Sequence, residues 1–318
     1  MTPYEFQIAN QSRYKNAETR AAVMETARKL HKYFSEHESI MVSVSGGSDS
    51  DCIVHFICTY FREFLPKIRF VFVNPGLEYE ATKRHLCDLE KRYNITIDRI
   101  RGKSVVTVCR KYGFPILTKL KANIVSLFVR GLPSGEKFLY NRGEWHALQF
   151  TENQKRLAEY LKENKILVSA KCCEYSKKKP LKAFQKSMHA DLNVTGERNA
   201  EGGQRALNHK SCFEEQKSGI HKYMPLWWWT DEVKQDFKES EGIVFSDCYE
   251  VWGMKRTGCV GCPFNQNIGA DLLIIRKYEP KLYRACMNVF GQSYELMDKF
   301  KARRKRCMPE PEGENDNE

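Results

Sequence analysis

The 318-residue chain has no apolar run approaching the roughly 18 to 20 residues that cross a bilayer as a helix. Its first residues, Met1-Thr2-Pro3-Tyr4-Glu5-Phe6, lack a basic stretch followed by an apolar segment. No export signal and no membrane partner are read, and a cytoplasmic location is expected. Internal repeats are absent, which excludes a repeat architecture. Nor is the composition biased: hydrophobic residues make up 42% and charged residues 29%, the balance of a soluble globular protein with one large domain or two modest ones.

Disulfides are not expected among the 12 cysteines in a reducing compartment, where clustered thiols take metal or reactive roles instead. Cys52, Cys58, Cys87, Cys109, Cys212, Cys248 and Cys286 are scattered through apolar or helical contexts and read as small core or surface residues. Base outnumbers acid, 52 to 40, except at one place. The net charge is +12, and Glu310 to Glu318 hold five acids and no base, leaving +17 on the rest. Such a surplus suits a polyanion, either a nucleotide or RNA or DNA. Lys177-Lys178-Lys179 and Arg303-Arg304-Lys305-Arg306 read as solvated helix faces.

Residues 39–45 form a short apolar run ending in a glycine pair, a strand entering a tight turn. From Asp49 to Phe64 apolar residues recur at helical spacing, so the turn sits at a helix start. A strand at Ile68 to Val73, a helix at Leu77 to Tyr93 and a strand at Ile95 to Ile100 follow. That β-α-β-α-β order implies a parallel sheet with right-handed crossovers. Helices are expected at Lys119 to Arg130 and Glu152 to Asn164, with a loop at Ser134-Gly135, and short strands at Ile166 to Ala170 and Asp191 to Thr195. Trp227, Trp228 and Trp229 precede a helix that Thr230 or Asp231 caps, running to about Ser240. A helical pair near residues 270–305 leads into the tail. The domains read as an N-terminal helical segment at 1–38, a nucleotide-binding α/β domain at 39–242, a cysteine-containing helical segment at 243–307 and a disordered acidic tail at 308–318.

The first constellation with chemistry is Ser45-Gly46-Gly47-Ser48-Asp49-Ser50. Paired glycines between strand and helix let backbone approach a ligand, and the amides of the helix start then face phosphate oxygens. Three serines add hydroxyl donors. Asp49 repels phosphate unless a divalent cation or a capping role accounts for it, and magnesium is the simpler account. The turn is neither Gly-x-x-x-x-Gly-Lys-Ser/Thr nor Gly-x-Gly-x-x-Gly. It resembles the Ser-Gly-Gly-x-Asp-Ser motif of the PP-loop ATP pyrophosphatases and the phosphoadenosine phosphosulfate (PAPS) reductases at all five fixed positions. The resemblance implies an α/β fold, a Rossmann-like parallel sheet of the adenine nucleotide alpha hydrolase type with a helical, cysteine-containing C-terminal extension. It implies ATP or PAPS as ligand, with Mg2+. The segment Val73-Asn74-Pro75-Gly76-Leu77-Glu78-Tyr79 is similar to the family's second-strand segment, whose backbone faces the adenine, and so adds Val73 and Asn74 to the nucleotide site.

The second constellation is Cys172-Cys173 with Cys259-Val260-Gly261-Cys262, followed by Pro263. Cys-x-x-Cys offers two thiolates from one turn, and adjacent cysteines on an extended backbone diverge too far for one small tetrahedral ion. A four-iron four-sulfur (4Fe-4S) cluster, a zinc ion and an unmetallated thiol set are the open readings. The spacing resembles that of bacterial-type adenylylsulfate and PAPS reductases, in which the four cysteines hold a 4Fe-4S cluster. The third constellation is Gly196-Glu197-Arg198 with Glu201 and Arg205, in which an arginine after a strand-end glycine meets phosphate or sulfate and Glu201 holds it. It resembles the family's Gly-x-Arg-x-x-Glu-Ser-x-x-Arg, with Gly202 where a serine is usual. The alternative is a salt-bridged surface loop. Asp49 and Arg198 are the candidate catalytic residues.

True reductases of this family carry a Glu-Cys-Gly-Leu/Ile-His segment, which has no match here; Cys307 is the nearest candidate nucleophile, beside cations that lower a thiol pKa. The leading expectation is ATP-dependent sulfur transfer to a nucleic acid or small acceptor, with a cysteine desulfurase or another sulfur donor as partner. PAPS or adenylylsulfate reduction is the alternative, and a noncatalytic nucleotide or redox sensor the second. The tryptophan triplet reads as partly core and partly a base-stacking surface.

Overall fold

A computed structural model of the chain describes residues 5–6, 12–140, 149–202 and 209–308. In chain order the helices are α1 (Ala17–Glu36), α2 (Ser48–Tyr60), α3 (Glu80–Tyr93), α4 (Val105–Tyr112), α5 (Lys119–Val129), α6 (Pro133–Tyr140), α7 (Glu152–Glu163), α8 (Lys171–Cys173), α9 (Lys179–Ser187), α10 (Asp231–Glu241), α11 (Asp247–Glu250), α12 (Ile268–Tyr278) and α13 (Pro280–Lys299). The strands are β1 (Ile40–Ser43), β2 (Ile68–Asn74), β3 (Ile97–Arg101), β4 (Leu192–Val194), β5 (Phe213–Glu214) and β6 (His221–Tyr223). Two compact units emerge, each assembled from separate stretches: 1–73, 80–100 and 181–257 form the first, and 74–79, 101–180 and 258–318 the second.

The first unit carries the sheet, in the order β3-β2-β1-β4-β6-β5. β1 runs parallel to β2, with Ile40 opposite Ile68, and parallel to β4, with Ile40 opposite Leu192. β6 is parallel to β4, and β5 is antiparallel to β6. Ile40, Met41 and Val42 are all buried, so this central strand reads as an unbroken apolar run, as strands covered on both faces do. α1 starts at Asn16, whose side chain accepts the Glu18 amide at 2.9 Å, and buries Val23, Ala27, Leu30 and Phe34 at helical spacing. Thr230 caps α10 by accepting the Val233 amide. Trp227 and Trp229 lie in the core, Trp229 donating to Thr26 Oγ1 at 2.9 Å, while Trp228 stays 59% exposed.

The expected strand at Ile166 to Ala170 does not form. Lys165 turns into the left-handed region after α7, and only Val168 pairs, in a single parallel bridge to Phe114, before α8 begins. Ser134-Gly135 is helix rather than loop. A Cβ on Gly135 would lie 2.2 Å from the Phe128 amide, so the glycine is there because α5 and α6 approach closely. β5, β6, α4 and α9 were not foreseen; the strands are two or three residues long and contain Glu214, His221 and Lys222, too short and polar to show alternation. Among the described residues no helix is long and apolar enough to cross a membrane.

Candidate functional site

The glycine turn joins β1 to α2 in the first unit, as its sequence requires. Gly46 has φ +65°, and a Cβ there would meet Thr82 Cγ2 at 2.7 Å. A Cβ on Gly47 would stand 3.1 Å from the Tyr249 hydroxyl. Gly196, at the end of β4, passes so close that its Cβ would lie 2.9 Å from the Ser50 amide. The turn is thus framed by two positions where a Cβ forces a shift, Gly46 and Gly196, and by Gly47, where Tyr249 would have to give by a few tenths of an ångström.

The hydroxyls stitch the turn itself. Ser50 Oγ donates to the Gly47 carbonyl at 2.8 Å and accepts the Ser45 amide at 3.2 Å, while Ser45 Oγ accepts the Gly47 amide at 3.3 Å. Lys234 Nζ donates to Ser48 Oγ at 3.1 Å. Of the donors expected of the three serines, those of Ser45 and Ser50 are committed to the chain, whereas Ser48 Oγ serves as an acceptor for Lys234.

The charge of Asp49 is answered within the protein rather than by a required metal ion. Its Oδ1 takes Arg198 Nε at 2.7 Å and lies 3.2 Å from Lys234 Nζ. Arg198 is only 3% exposed and also donates to the Trp229 carbonyl at 3.1 Å and to Asp231 Oδ1 at 2.7 Å. Burial opposes its charge, but Asp49 and Asp231 outweigh that and raise its pKa above the ordinary value. Arg198 is thus a buried strut that ties the turn to the start of α10. Glu201 accepts the Arg198 backbone amide and pairs with Arg256 at 3.4 Å; Glu197 pairs with Lys222 at 3.0 Å. Val73 and Asn74 are the half-buried end of β2, and Asn74 Oδ1 accepts the Gly76 amide at 2.8 Å. Arg205 lies outside the described residues.

Two residues that sequence did not single out close over the turn. The Tyr249 hydroxyl, just after the start of α11, accepts the Thr257 amide at 3.1 Å and shares a hydrogen bond with Thr257 Oγ1 at 2.8 Å. The Ser48 amide acts on the same oxygen. Beneath α2, buried Asp51 accepts from or donates to His85 Nε2 across 2.7 Å, and burial raises its pKa. No pattern at these positions marks them, because they reach the turn only through tertiary packing.

In the second unit Cys172, Cys173, Cys259 and Cys262 line one cavity, together with Val105, Lys177 and Phe290. Cys172 and Cys173 sit on helical backbone in α8, not on the extended backbone expected, so their side chains diverge by about 100° around the axis. The other pair is shaped by Gly261, at φ +62°, where a Cβ would meet Cys286 Sγ at 2.7 Å. The Cys262 amide donates to the Cys259 carbonyl at 3.2 Å, and Tyr294 donates to the Gly261 carbonyl. A hydrogen bond with Cys109 pushes the Cys172 thiol up to about 12, and burial does the same to Cys262. Cys109, read from sequence as bland, therefore belongs beside this group. Lys177 likewise turns out of its expected solvated face. Burial opposes its charge, but Cys259 and Glu78 outweigh this and raise its pKa. Among the described residues no three His, Cys, Asp or Glu side chains converge on a point where a single ion would sit.

Cys307 is fully buried, and burial pushes its thiol up to about 11 despite Arg303 nearby. The expected lowering by flanking cations does not occur.

A family model described as the phosphoadenosine phosphosulfate reductase domain matches residues 39–114 and 140–265. An uncharacterized protein of Methanocaldococcus jannaschii is 24% identical over 261 residues, covering 80% of this chain; the chain spans 42% of that relative's length. Among solved structures, the chain is similar to a PAPS reductase from Candida auris in a phosphate complex, at TM-score 0.44 and 15% identity, covering 72% of this chain and 85% of that one. It is also similar to the U34-tRNA thiolase of Methanococcus maripaludis with its 4Fe-4S cluster, at TM-score 0.39 and 12% identity, covering 86% and 79%.

Proposed function

The chain belongs to the phosphoadenosine phosphosulfate reductase domain family, and we propose that within it this protein is an ATP-dependent sulfur-transfer enzyme. The observation that carries the nucleotide site is the turn at Gly46 and Gly47, which brings backbone to a helix start with the Ser45 and Ser50 hydroxyls and the Asp49 carboxylate partnered within the chain. ATP lies with its phosphates on the amides of that turn. An oxygen of the acceptor attacks the α-phosphorus, the new P–O bond forms as the α–β anhydride breaks, and pyrophosphate leaves with the electron pair. Lys234, beside Ser48 and Asp49, sits where it neutralises charge developing on the leaving group. Asp49 and Arg198 act by holding the turn, and magnesium enters as the counter-ion of the nucleotide.

Four thiols around one cavity are a donor set of the kind that holds a 4Fe-4S cluster, the group read from their spacing. Such a cluster would supply iron that binds and presents sulfur from a cysteine desulfurase or another donor. The residues that would hold it are Cys172, Cys173, Cys259 and Cys262, and Lys177 offsets their negative charge. A cytosolic setting, in which the thiols stay reduced, goes with this reading. The buried Cys307 disfavours the reductase alternative, which needs an accessible nucleophile. Anaerobically prepared protein incubated in parallel with labelled ATP and labelled PAPS tests the choice. Pyrophosphate release from ATP is expected; sulfite from PAPS with no pyrophosphate would replace this reading with the reductase, and neither product would leave a nucleotide sensor.

A further inference from the structure

Tyr112, at the end of α4, and Tyr175, just after α8, stack with ring centroids 5.3 Å apart and planes 5° from parallel. Lysines surround the pair. Lys171 and Lys111 lie over the Tyr112 ring at 4.7 and 5.4 Å, and Lys179 and Lys103 over the Tyr175 ring at 4.1 and 5.6 Å. Lys103, Lys111 and Lys179 are exposed, and both rings are half-buried. Among the described residues the one acid paired here is Glu174, 3.1 Å from Lys179, and Lys103, Lys111 and Lys171 show no acidic partner. The Tyr112 phenol is lowered by its hydrogen bond with Tyr175 and then by Lys111, Lys103 and Lys171, so the local field is positive. The arrangement is built by close packing: a Cβ on Gly102 would meet the Tyr175 carbonyl at 2.4 Å, and the Lys103 amide donates to that carbonyl at 3.3 Å.

We propose that Tyr112, Tyr175, Lys103, Lys111 and Lys171 form a docking surface for single-stranded nucleic acid. An ammonium held only over a ring face keeps a positive charge that an arriving anion can draw away. When a phosphate backbone arrives, the lysines move to it and the freed outer faces of the rings stack bases, a combination that tolerates any sequence. This deepens the proposal of a nucleic acid acceptor and rests on it. It also moves the aromatic platform away from the tryptophan triplet, of which two members are core.

The test is fluorescence anisotropy of the full chain with labelled 12-nucleotide oligouridylate and oligothymidylate, and with a duplex of equal length. Single strands are expected to bind, with a slope of log K against log salt of about −2, the value for three phosphate contacts. Tyr112→Ala or Tyr175→Ala should weaken binding roughly tenfold. Tyr112→Phe and Tyr175→Phe, which keep the stack, should bind as the parent does, and Lys111→Ala should lower the slope by about 0.7. Preference for the duplex, or loss of binding in Trp228→Ala with none in the tyrosine variants, overturns the surface but leaves a nucleic acid acceptor standing. Absence of binding even at low salt overturns both, while pyrophosphate release from ATP still decides the nucleotide site separately.

Discussion

The glycine turn and the cysteine cavity answer their polar groups in opposite ways. At the turn the Ser45 and Ser50 hydroxyls and the Asp49 carboxylate find partners in the chain itself, and the Gly47 and Ser48 amides rest on hydroxyls that a phosphate oxygen can replace. In the cavity the thiols lie near one another, and hydrogen bonding and burial outweigh the nearby lysines and keep Cys172 and Cys262 protonated at neutral pH. One site is finished by folding. The other is finished by what it binds, because a metal displaces those protons and makes each sulfur a ligand.

The largest effect expected from this contrast lies in the cavity. Protein made without oxygen should be brown and hold about four iron atoms per chain, and alanine at Cys172, Cys173, Cys259 or Cys262 should remove colour and iron together. Cys307→Ala should keep both. One zinc and no iron after anaerobic preparation would contradict the cluster, and iron lost from the Cys307 variant would show a wrong ligand set.

The self-sufficiency of the first unit can be broken at Glu241, which is nearly buried and accepts from Tyr14 at 2.6 Å, Tyr60 at 2.7 Å and His55 at 3.0 Å. Burial would raise its pKa, but these donors outweigh it and hold the carboxyl at about 2, against 4.5 unperturbed. A depressed folded pKa stabilises above pH 4.5 and is lost as pH falls toward 2. Urea unfolding of the parent should therefore show a decline over that window worth about 3 kcal/mol, flattened in Glu241→Gln. An unchanged decline would assign it to other carboxylates.

At the turn, Asp49→Ala strands Arg198 in the core and should cost about 3 kcal/mol, more than Asp49→Asn, by thermal or urea unfolding. Equal, small losses would mean that Asp231 and the Trp229 carbonyl suffice for the guanidinium. Gly196→Ala presses a methyl against the Ser50 amide, with an expected cost of about 1 to 3 kcal/mol and weaker ATP binding by calorimetry. The smallest effect concerns Tyr249, whose hydroxyl accepts amides where a phosphate oxygen would do so more strongly. Tyr249→Phe should tighten ATP binding by about 1 kcal/mol, the net worth of one hydrogen bond. Weaker binding would make the hydroxyl a direct ligand of the nucleotide instead.

Much of this was legible in the sequence because it is local. A strand, two glycines and a helix start occupy neighbouring positions, and so do both cysteine pairs, so motif and element boundaries report them directly. The parallel pairing of β1 and β2 follows from the helix between them. What sequence missed is long-range. Arg198 was read as a hook for phosphate, since the reach of Asp231 and the Trp229 carbonyl to its guanidinium appears only once α10 is in place. Tyr249 and Thr257 lie far along the chain from the turn that they cover. Cys109 and Lys177 looked ordinary because helical packing, not spacing, turns them toward the other thiols.

Between Cys173 and α9 the helix widens into a π-turn over Glu174–Lys178, the form a helix takes when it holds one residue more than its regular winding accommodates. That extra residue lets a single short stretch serve two faces: Tyr175 stacks on Tyr112, and Lys177 enters the cysteine cavity. Deleting any one residue here would restore the ordinary winding and swing everything beyond it by about 100°. Either the stack or the cavity would then lose its member, while the hydrogen-bonded helix itself improved. The length of this segment is therefore fixed as tightly as Tyr175 and Lys177, and related chains that keep both features should tolerate substitutions at 174 and 178 but neither insertion nor deletion.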